Sequence, residues 1–312
     1  MFDKPFTQQR PIPKTAQEAA LDILQSGRLH RYNTLGDEIS PAAQLESAYA
    51  EYQQARYCVA LSSGGQAIQI ALRAAGLQAG DKILANAYTL APVPGAIHAV
   101  GGVPVFVEIA DNWRIDLEDL AQKAQTSQAR FLLLSHMRGH SADMEAIAEI
   151  CANHHITLIE DCAHTMGAKW NGVRSGNFGT IACFSCQTYK HINSGEGGLL
   201  TTNDETIAAK AIIMSGSYML YDRHGTVPSA EAFEAVKYDT PNLSARMDNL
   251  RAAILLPQLE GLEDNIKAWN TRYDSLVDGL RQSGEIIVPP RPKAEEYVGS
   301  SIQFQLLSLI HI

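Results

Sequence analysis

Three separated patches of this 312-residue sequence carry residue types that can do chemistry. Residues 62–66 (Ser-Ser-Gly-Gly-Gln) combine small side chains with free backbone amides, which suit a bound phosphate, although a tight strand–helix turn needs the same residues. Asp161 ends an apolar run, where its carboxylate can keep a heterocyclic nitrogen protonated or only cap the next turn. Lys190 precedes a glycine-rich loop; a desolvated lysine can condense with an aldehyde, but a single lysine is more often a surface residue.

Taken together, the three patches match the requirements of one cofactor. A phosphate cradle, an acidic partner for a pyridine nitrogen and a Schiff-base lysine are the three parts of a pyridoxal 5′-phosphate (PLP) site. The segment between Asp161 and Lys190 is long enough for one further element and the next strand. The sequence therefore predicts a PLP site with Lys190 as the covalent partner.

The elements that must position these residues follow a simple pattern. Short apolar runs alternate with helical patterns, which is typical of a mainly parallel sheet covered by helices on both faces, with ligands at the carboxyl edge of the strands. A long helical stretch is predicted from about 249 to 284, and the first helix is expected to start with a capping box at 15–18. Strands are predicted over 57–61, 82–85, 103–109, 131–135, 157–161, 181–185, 198–202 and 300–306.

The composition excludes several classes of protein. A formal net charge of -9 gives no field that would attract nucleic acid or an anionic membrane. No stretch reaches the roughly 18 apolar residues of a membrane span. We therefore expect a cytoplasmic protein without nucleic-acid or membrane partners.

The cysteines and histidines do not indicate a metal site. Five cysteines in a chain of this length are too few for a disulfide scaffold and suggest a reducing compartment. Cys183 and Cys186 have zinc-like spacing, but no second such pair exists, so we interpret them as buried apolar residues. The spacing of His136 and His140 is equally weak evidence, and no metal is predicted.

The order of these motifs resembles the DegT/DnrJ/EryC1/StrS family of PLP-dependent aminotransferases, which have fold type I, the aspartate aminotransferase-like architecture. The resemblance extends from residue 4 to about residue 306. Its markers, in family order, are Leu-Gln-Ser-Gly at 24–27, residues 62–64, Val-Pro-Val-Phe at 103–106, residues 139–144, Glu-Asp at 160–161, Ser185, Lys190, Gly-Glu-Gly-Gly at 195–198, Arg-Met at 246–247 and Ala-Ala-Ile at 252–254.

The resemblance implies a domain arrangement. We expect a three-layer α/β/α large domain with a mainly parallel sheet, followed by an incomplete C-terminal small domain. The expected units are an N-terminal arm at 1–14, a PLP-binding large domain at 15–255, and an inter-domain helix with the start of the small domain at 256–306. The chain is expected to be truncated at its C terminus, with a non-native tail at 307–312.

The resemblance also assigns roles around the cofactor ring. Lys190 matches the lysine that forms the Schiff base and later moves a proton between cofactor and substrate. Asp161 matches the partner of the ring nitrogen, and His164 stands where a side chain approaches the phenolic oxygen. Leu90 stands at the position of a stacking residue, which is usually aromatic in the family, so either Tyr88 stacks or the ring rests on the aliphatic face of Leu90.

Phosphate contacts are implied at three further positions. Ser185 matches a hydroxyl that contacts the phosphate beside Gly64 and Gly65. Gly65 departs from the Thr, Ser or Asn that is frequent in the family, so one side-chain contact is missing there. A neighbouring subunit lends an Asn in the family, and Asn242 or Ser244 can take that part, with Asn242 favoured.

The implied function is the transfer of an amino group from glutamate or glutamine to a nucleotide-linked keto-sugar or a cyclitol ketone. Arg138 and His140 fall in a loop that borders the substrate in the family, and a homodimer is implied. One alternative is a related sugar dehydratase, which carries His at the lysine position; Lys190, rather than His191, stands five residues after the serine and favours transamination. Another is a non-catalytic PLP-binding fragment.

Overall fold

The structure, a computed structural model, describes residues 9–282 and 284–306. The predicted tail at 307–312 and most of the predicted arm lie outside these residues. The α-helices are α1 Lys14–Ser26, α2 Pro41–Gln53, α3 Gly64–Ala74, α4 Pro92–Ala99, α5 Leu117–Thr126, α6 Met144–Asn153, α7 Glu205–Gly216, α8 Ala230–Val236, α9 Asn249–Glu260 and α10 Leu262–Gln282. The strands are β1 Tyr57–Leu61, β2 Lys82–Asn86, β3 Val103–Val107, β4 Phe131–Ser135, β5 Thr157–Asp161, β6 Lys169–Trp170, β7 Val173–Arg174, β8 Ile181–Ser185, β9 Gly198–Thr202, β10 Ile286–Ile287, β11 Glu295–Glu296 and β12 Gln305–Leu306.

Seven strands form one central sheet in the order β1-β9-β8-β5-β4-β2-β3. Neighbours from β8 to β3 run parallel, and β9 is antiparallel to both β1 and β8. Strands β1, β4 and β9 are buried along their whole length, as expected for a sheet with both faces covered. The prediction of a mainly parallel sheet is confirmed.

Alternate residues of the strands pack against two helical layers. On one face, apolar strand residues such as Leu133 and Ile159 pack with α3, α4, α7 and α8. On the other face, Leu132 and Leu158 pack with α5 and α6, while Ala182 and Phe184 pack with α2, α9 and α10. This alternation follows from the twofold period of a strand and produces the predicted three-layer α/β/α architecture.

Most helix starts follow from a capping side chain in the sequence. Ser40, Ser63, Asp143 and Asp248 each accept a hydrogen bond from a backbone amide in the first turn of the helix that follows. The capping box predicted at 15–18 is wrong. Helix α1 starts two residues earlier than a cap at Thr15 requires, and its N-cap is Pro13, which offers no side-chain acceptor.

The C-terminal part packs as a small satellite on the large sheet domain. Tyr273 and Val277 of α10 form an apolar cluster with Val288. The strand predicted over 300–306 is limited to β12, which pairs antiparallel with β10, while β11 pairs with β6 of the large domain. The domain boundary predicted after residue 255 falls inside α9. Among the helices of residues 9–282 and 284–306, none combines the length and apolarity needed to cross a membrane.

Candidate active site

The candidate site lies at the carboxyl edge of the central sheet, where three strands and one helix start meet. Ser135 at the end of β4 stands beside Asp161 at the end of β5 in the parallel register. Ser185 ends β8, the next strand, and pairs across the sheet with Gly198. Because the polar residues end neighbouring buried strands, the sheet brings them to one edge without any long loop.

Two glycines allow the start of α3 to reach Ser185 over β9. A Cβ added to Gly198 would lie 2.3 Å from the carbonyl oxygen of Ser63, so only glycine permits this crossing. A Cβ on Gly64 would lie 2.8 Å from Cβ of Ser185, so the backbone of α3 and that hydroxyl are in contact. Gly65 is open, with only the hydroxyl of Ser63 within 4 Å of its added Cβ. Free amides at a helix N-terminus beside a hydroxyl form a cradle that fits a phosphate.

Asp161 is a buried carboxylate with two local donors. Its Oδ2 accepts from the hydroxyl of Ser135 at 3.0 Å, and its Oδ1 accepts from the backbone amide of Ala163 at 3.1 Å. Burial raises the pKa of Asp161, although these hydrogen bonds and the nearby Lys190 oppose the rise. A buried carboxylate without a tightly bound cation fits a protonated ring nitrogen, which would supply the missing positive charge.

Lys190 faces His164 across a short distance. Its Nζ lies 2.8 Å from Nε2 of His164. Burial lowers the pKa of Lys190, Asp161 works against this, and the cation of Arg138 adds to it. Burial, with Lys190 and Arg138, also lowers the pKa of His164 to about 3. Lys190 is thus held toward its neutral form, which is the form that attacks an aldehyde.

A cleft of about 1220 Å³ opens from Lys190 and His164 toward α10. Leu90 and Arg138 line it, whereas Tyr88 does not and instead hydrogen-bonds Gln303. Of the two positions considered for ring stacking, Leu90 is therefore the one that faces the cleft.

Two residues predicted for the site, His140 and Asn242, lie away from the cleft. His140 does not line the cleft but is buried beside Arg114, in a polar cluster with Glu295. The cause is the turn at Gly139 (φ +77°), which directs Arg138 outward and His140 inward. Asn242 also lies away from this cleft, where its Oδ1 accepts from the amide of Ser244.

The structure adds several residues to the site that the sequence patterns did not indicate. Ser135 supports Asp161, and a polar residue closing an apolar strand was the available signal. Ser300 and Ser301 reach the cleft from the C-terminal part: Ser300 bonds His191 at 3.0 Å, and Ser301 donates to the carbonyl of Arg138 at 3.0 Å. No sequence pattern indicates these long-range contacts.

Glu160, next to Asp161, anchors the chain beneath the site. Its carboxylate accepts from the backbone amides of Gly176, Phe178 and Gly179 and lies 2.9 Å from Nε2 of His136. Together with Cys162 these side chains form a buried His, Glu and Cys group. The three backbone donors give this carboxylate a structural part, since they fix the loop after β7.

The fold and this arrangement define the class: the aspartate aminotransferase-like architecture of PLP-dependent proteins. A lysine amine, a buried carboxylate and a glycine–serine cradle at one sheet edge fit the aldehyde, ring nitrogen and phosphate of that cofactor. A sequence model of the DegT/DnrJ/EryC1/StrS aminotransferase family matches residues 12–311. The chain therefore belongs to this family, and PLP is its cofactor.

Named relatives extend this assignment. A GDP-perosamine synthase of Escherichia coli O157:H7 is 33% identical over 252 residues, which are 78% of this chain and 66% of the relative. An L-glutamine:scyllo-inosose aminotransferase of Streptomyces griseus is 33% identical over 266 residues, 84% of this chain and 62% of the relative. The chain thus spans about two thirds of the length of these relatives.

A solved structure with bound cofactor has the same fold. It is the Escherichia coli GDP-4-keto-6-deoxy-D-mannose-3-dehydratase with bound hydrated PLP, with a TM-score of 0.84 and 23% sequence identity. The match covers 100% of this chain and 81% of that one. At this identity the similarity shows the fold, and it does not transfer the dehydratase activity.

Proposed function

We propose that this protein is a PLP-dependent aminotransferase that moves an amino group from glutamate or glutamine to a keto-sugar or cyclitol ketone. The observation that carries the proposal is the amine of Lys190, 2.8 Å from His164, at the sheet edge that also holds the buried carboxylate of Asp161. The names of the relatives support a sugar or cyclitol acceptor, since one is a perosamine synthase and another a glutamine:inosose aminotransferase.

Each residue has a defined part in this proposal. When bound, PLP supplies an aldehyde carbon and a pyridine ring that stores electrons. Gly64, Gly65 and Ser185 would hold its phosphate, and Asp161 would keep the ring nitrogen protonated. Lys190 provides the nucleophilic amine and, once free again, is the base and acid that moves a proton at the substrate carbon.

Further residues in this proposal lie around the PLP ring and on the cleft wall. Leu90 would provide an aliphatic surface for the ring, and His164 would donate a hydrogen bond to the ring oxygen. Arg138 is an exposed arginine on the cleft wall and is suited to an anionic group of the substrate. His140 has no contact with the cleft, so we assign it no part in substrate binding.

The presence of lysine favours transamination over dehydration. Retention of an amine at position 190 provides the group that releases the cofactor to an amino donor and takes it back. Incubating the PLP-loaded chain with glutamate or glutamine tests this: conversion of the cofactor to pyridoxamine phosphate with formation of a keto acid supports an aminotransferase. Cofactor binding without that conversion would favour a non-catalytic fragment, and loss of a sugar hydroxyl without amino transfer would favour the dehydratase.

We further propose a cytoplasmic homodimer. Leu35, Tyr218 and Met219 are large apolar residues that are 71%, 56% and 79% exposed. Tyr218 and Met219 follow Gly216, which lies close to Asn242, and the ring of Tyr218 lies near His30. A second copy covering this surface would bring Asn242 of one subunit toward the active site of the other. We include in this proposal that Asn242 contacts the cofactor phosphate there.

Sedimentation tests the dimer. The wild-type chain should sediment as a dimer, and Met219→Asp should shift it toward the monomer by placing a charge in an apolar contact. A wild-type monomer that still catalyses amino transfer would contradict the proposed dimer.

The free cysteines also support the proposed cytoplasmic location, because they are consistent with a reducing compartment. They are all buried: Cys58, Cys151, Cys162, Cys183 and Cys186.

A further inference from the structure

A strained turn touches the histidine beside Lys190. Within the turn Met137–Gly139, Arg138 has φ +54°, in the left-handed region that a non-glycine residue rarely adopts. A Cβ added to Gly139 would lie 2.9 Å from the carbonyl oxygen of His164, so the turn presses its backbone against that residue. Such a conformation persists only where surrounding contacts hold it.

Two residues of the C-terminal part supply those contacts. Arg291 donates from Nη1 to the carbonyl of Gly139 at 2.6 Å, and Ser301 donates from its hydroxyl to the carbonyl of Arg138 at 3.0 Å. Arg291 is itself fixed by Glu295, whose Oε1 lies 3.0 Å from the same nitrogen. Its guanidinium also lies over the rings of Tyr273 and Tyr297, with centroid distances of 4.9 and 4.5 Å.

The turn determines which nitrogen of His164 carries the proton. The backbone amide of Arg138 donates to Nδ1 of His164 at 3.3 Å, so Nδ1 is an acceptor. A neutral imidazole has one N–H, which must then lie on Nε2. Since Nε2 is 2.8 Å from Nζ of Lys190, the imidazole donates and the amine accepts. Only a neutral amine has a lone pair with which to accept.

Among the surrounding charges, the cation of Arg138 favours a neutral amine on Lys190 and the carboxylate of Asp161 opposes it. The ionisable groups acting on Lys190 are Asp161 and Arg138, with His164 in direct contact. Those acting on His164 are Lys190, Arg138 and His191. Burial lowers the pKa of His164 to about 3 and that of His191 to about 4, so neither ring is charged at neutral pH.

We propose that Arg291 and Ser301 are positioning residues: they hold the turn Met137–Gly139 so that His164 stays in its Nε2–H tautomer and keeps the amine of Lys190 neutral before the cofactor arrives. The inference rests on the proposed function in one respect, that Lys190 is the amine that meets an aldehyde. The same Nε2–H is also the donor that an anionic ring oxygen requires.

The tautomer can be observed directly. Nitrogen-15 NMR of the full chain labelled at histidine, without cofactor at pH 7, should show His164 with a protonated Nε2 and an unprotonated Nδ1. The signal is assigned by its loss in His164→Gln. A protonated Nδ1, alone or together with Nε2, would overturn the proposal.

The state of the amine is measured by competitive acetylation. The cofactor-free chain is treated with acetic anhydride across a range of pH, and acetylation of Lys190 is followed by mass spectrometry against exposed Lys267. The midpoint of the Lys190 profile should lie below that of Lys267. In Arg291→Gln and in Ser301→Ala the Lys190 midpoint should rise, and its acetylation at pH 7 should fall about two- to tenfold, the range of one hydrogen bond.

A matched arginine separates positioning from simple loss of charge. Arg272 lines the cleft that opens from Lys190, and its guanidinium donates to the carbonyl of Ala268 in its own helix. Arg272→Gln should leave the Lys190 midpoint unchanged. If Arg291→Gln does not fold, Ser301→Ala still decides, since it removes one hydroxyl from a half-buried position.

The outcomes are separable. A merely structural role would loosen the turn and raise the acetylation rate of Lys190 at every pH without moving the midpoint, which would refute the proposal. If PLP bonds to Lys190 but the midpoint of the Lys190 acetylation profile is the same in Arg291→Gln, Ser301→Ala and the wild type, this inference fails and the proposed function stands. If the midpoint responds but PLP is not captured, the proposed function fails alone.

Discussion

Two buried groups of ionisable side chains in this protein have opposite character. The Glu46 cluster consists of Arg31, Glu46 and His224. The Lys190 site consists of Asp161, His164 and Lys190. Both are largely withdrawn from water, but the carboxylate of the first is paired with a buried guanidinium, whereas that of the second has no such close cation in the described part of the chain.

In the Glu46 cluster every charge is matched. Both carboxylate oxygens of Glu46 bond Arg31 at 2.8 Å, and they also accept from the amides of Ala60 and Gly225 at 2.9 Å. Burial raises the pKa of Glu46, but the charges and hydrogen bonds of Arg31 and His224 outweigh burial and hold that pKa well below its usual range. A carboxylate satisfied in this way stabilises the fold and is not available for chemistry.

In the Lys190 site burial wins instead. The pKa of Asp161 is raised and that of Lys190 lowered, because each is desolvated and no close ion pair compensates. The comparison of the two groups shows that a shifted pKa alone does not identify a reactive site. The useful sign is the direction of the shift: the Lys190 site pushes Asp161 and Lys190 toward their neutral forms, whereas the Glu46 cluster keeps the carboxylate of Glu46 and the guanidinium of Arg31 charged. Burial lowers the pKa of His224 in that cluster.

The largest expected effect is that of Lys190→Ala. If Lys190 is the covalent partner, as proposed, its removal leaves the chain no amine for the cofactor, so the visible absorbance of the PLP-loaded protein should lose its protein-bound band. Amino transfer should fall at least about 10³-fold. Lys237→Ala, at a surface residue paired with Glu234, is the control and should keep both. A persisting band in Lys190→Ala would refute the role of this lysine.

The next effect is on stability and concerns Glu46→Gln. Removing the charge leaves Arg31 buried without a counterion, so the free energy of unfolding should fall by about 3–5 kcal/mol. Urea unfolding of the cofactor-free chain measures this. Glu263→Gln, which loses a half-exposed pair with Arg174, should cost no more than about 1 kcal/mol. Equal costs for the two variants would mean that the Glu46 cluster is not the structural one.

Asp161→Asn should have the reverse profile. The turnover number should fall about 10²–10³-fold because the ring nitrogen loses its negative partner. The free energy of unfolding without cofactor should stay the same or rise, since a neutral amide replaces a poorly compensated buried carboxylate. Both are read from steady-state kinetics and urea unfolding. A destabilisation as large as that of Glu46→Gln would abolish the contrast between the two groups.

The smallest effect is the pH dependence of stability. The pKa of Glu46 is lowered by folding, so its contribution is complete above its unfolded value of 4.5 and is lost as the pH falls further. The wild-type free energy of unfolding should therefore decline below pH 4.5 more steeply than that of Glu46→Gln, by about 1.4 kcal/mol per pH unit. Asp161, with its raised pKa, contributes with the opposite sign.

Much of the fold was predictable because the strands are apolar and short. The predicted limits of β1, β4, β5, β8 and β9 coincide with the observed strands, and that prediction is confirmed. The misplaced capping box has a local cause, since Pro13 rather than Thr15 precedes the first helical turn. The strand expected at 300–306 is short because its partner β10 has only two residues.

The site was less predictable where contacts cross the chain. Asp161 and Lys190 stood out by type and position, and their neighbourhood follows from the strand order. His140 and Arg138 are two residues apart, and sequence spacing gave no means to see that the turn sends one inward and the other to the cleft. The contacts of Arg291 and Ser301 with that turn span more than 150 residues, beyond any local pattern.

The amino-acid order alone determined the α/β layering and the chemical types at the sheet edge, because strand burial and side-chain chemistry are local properties. Only the tertiary structure decided which groups are left short of partners, because desolvation and hydrogen bonding depend on what packs from distant parts of the chain. That is why Glu46 and Asp161, both acidic residues in the sequence, have pKa values that folding shifts in opposite directions.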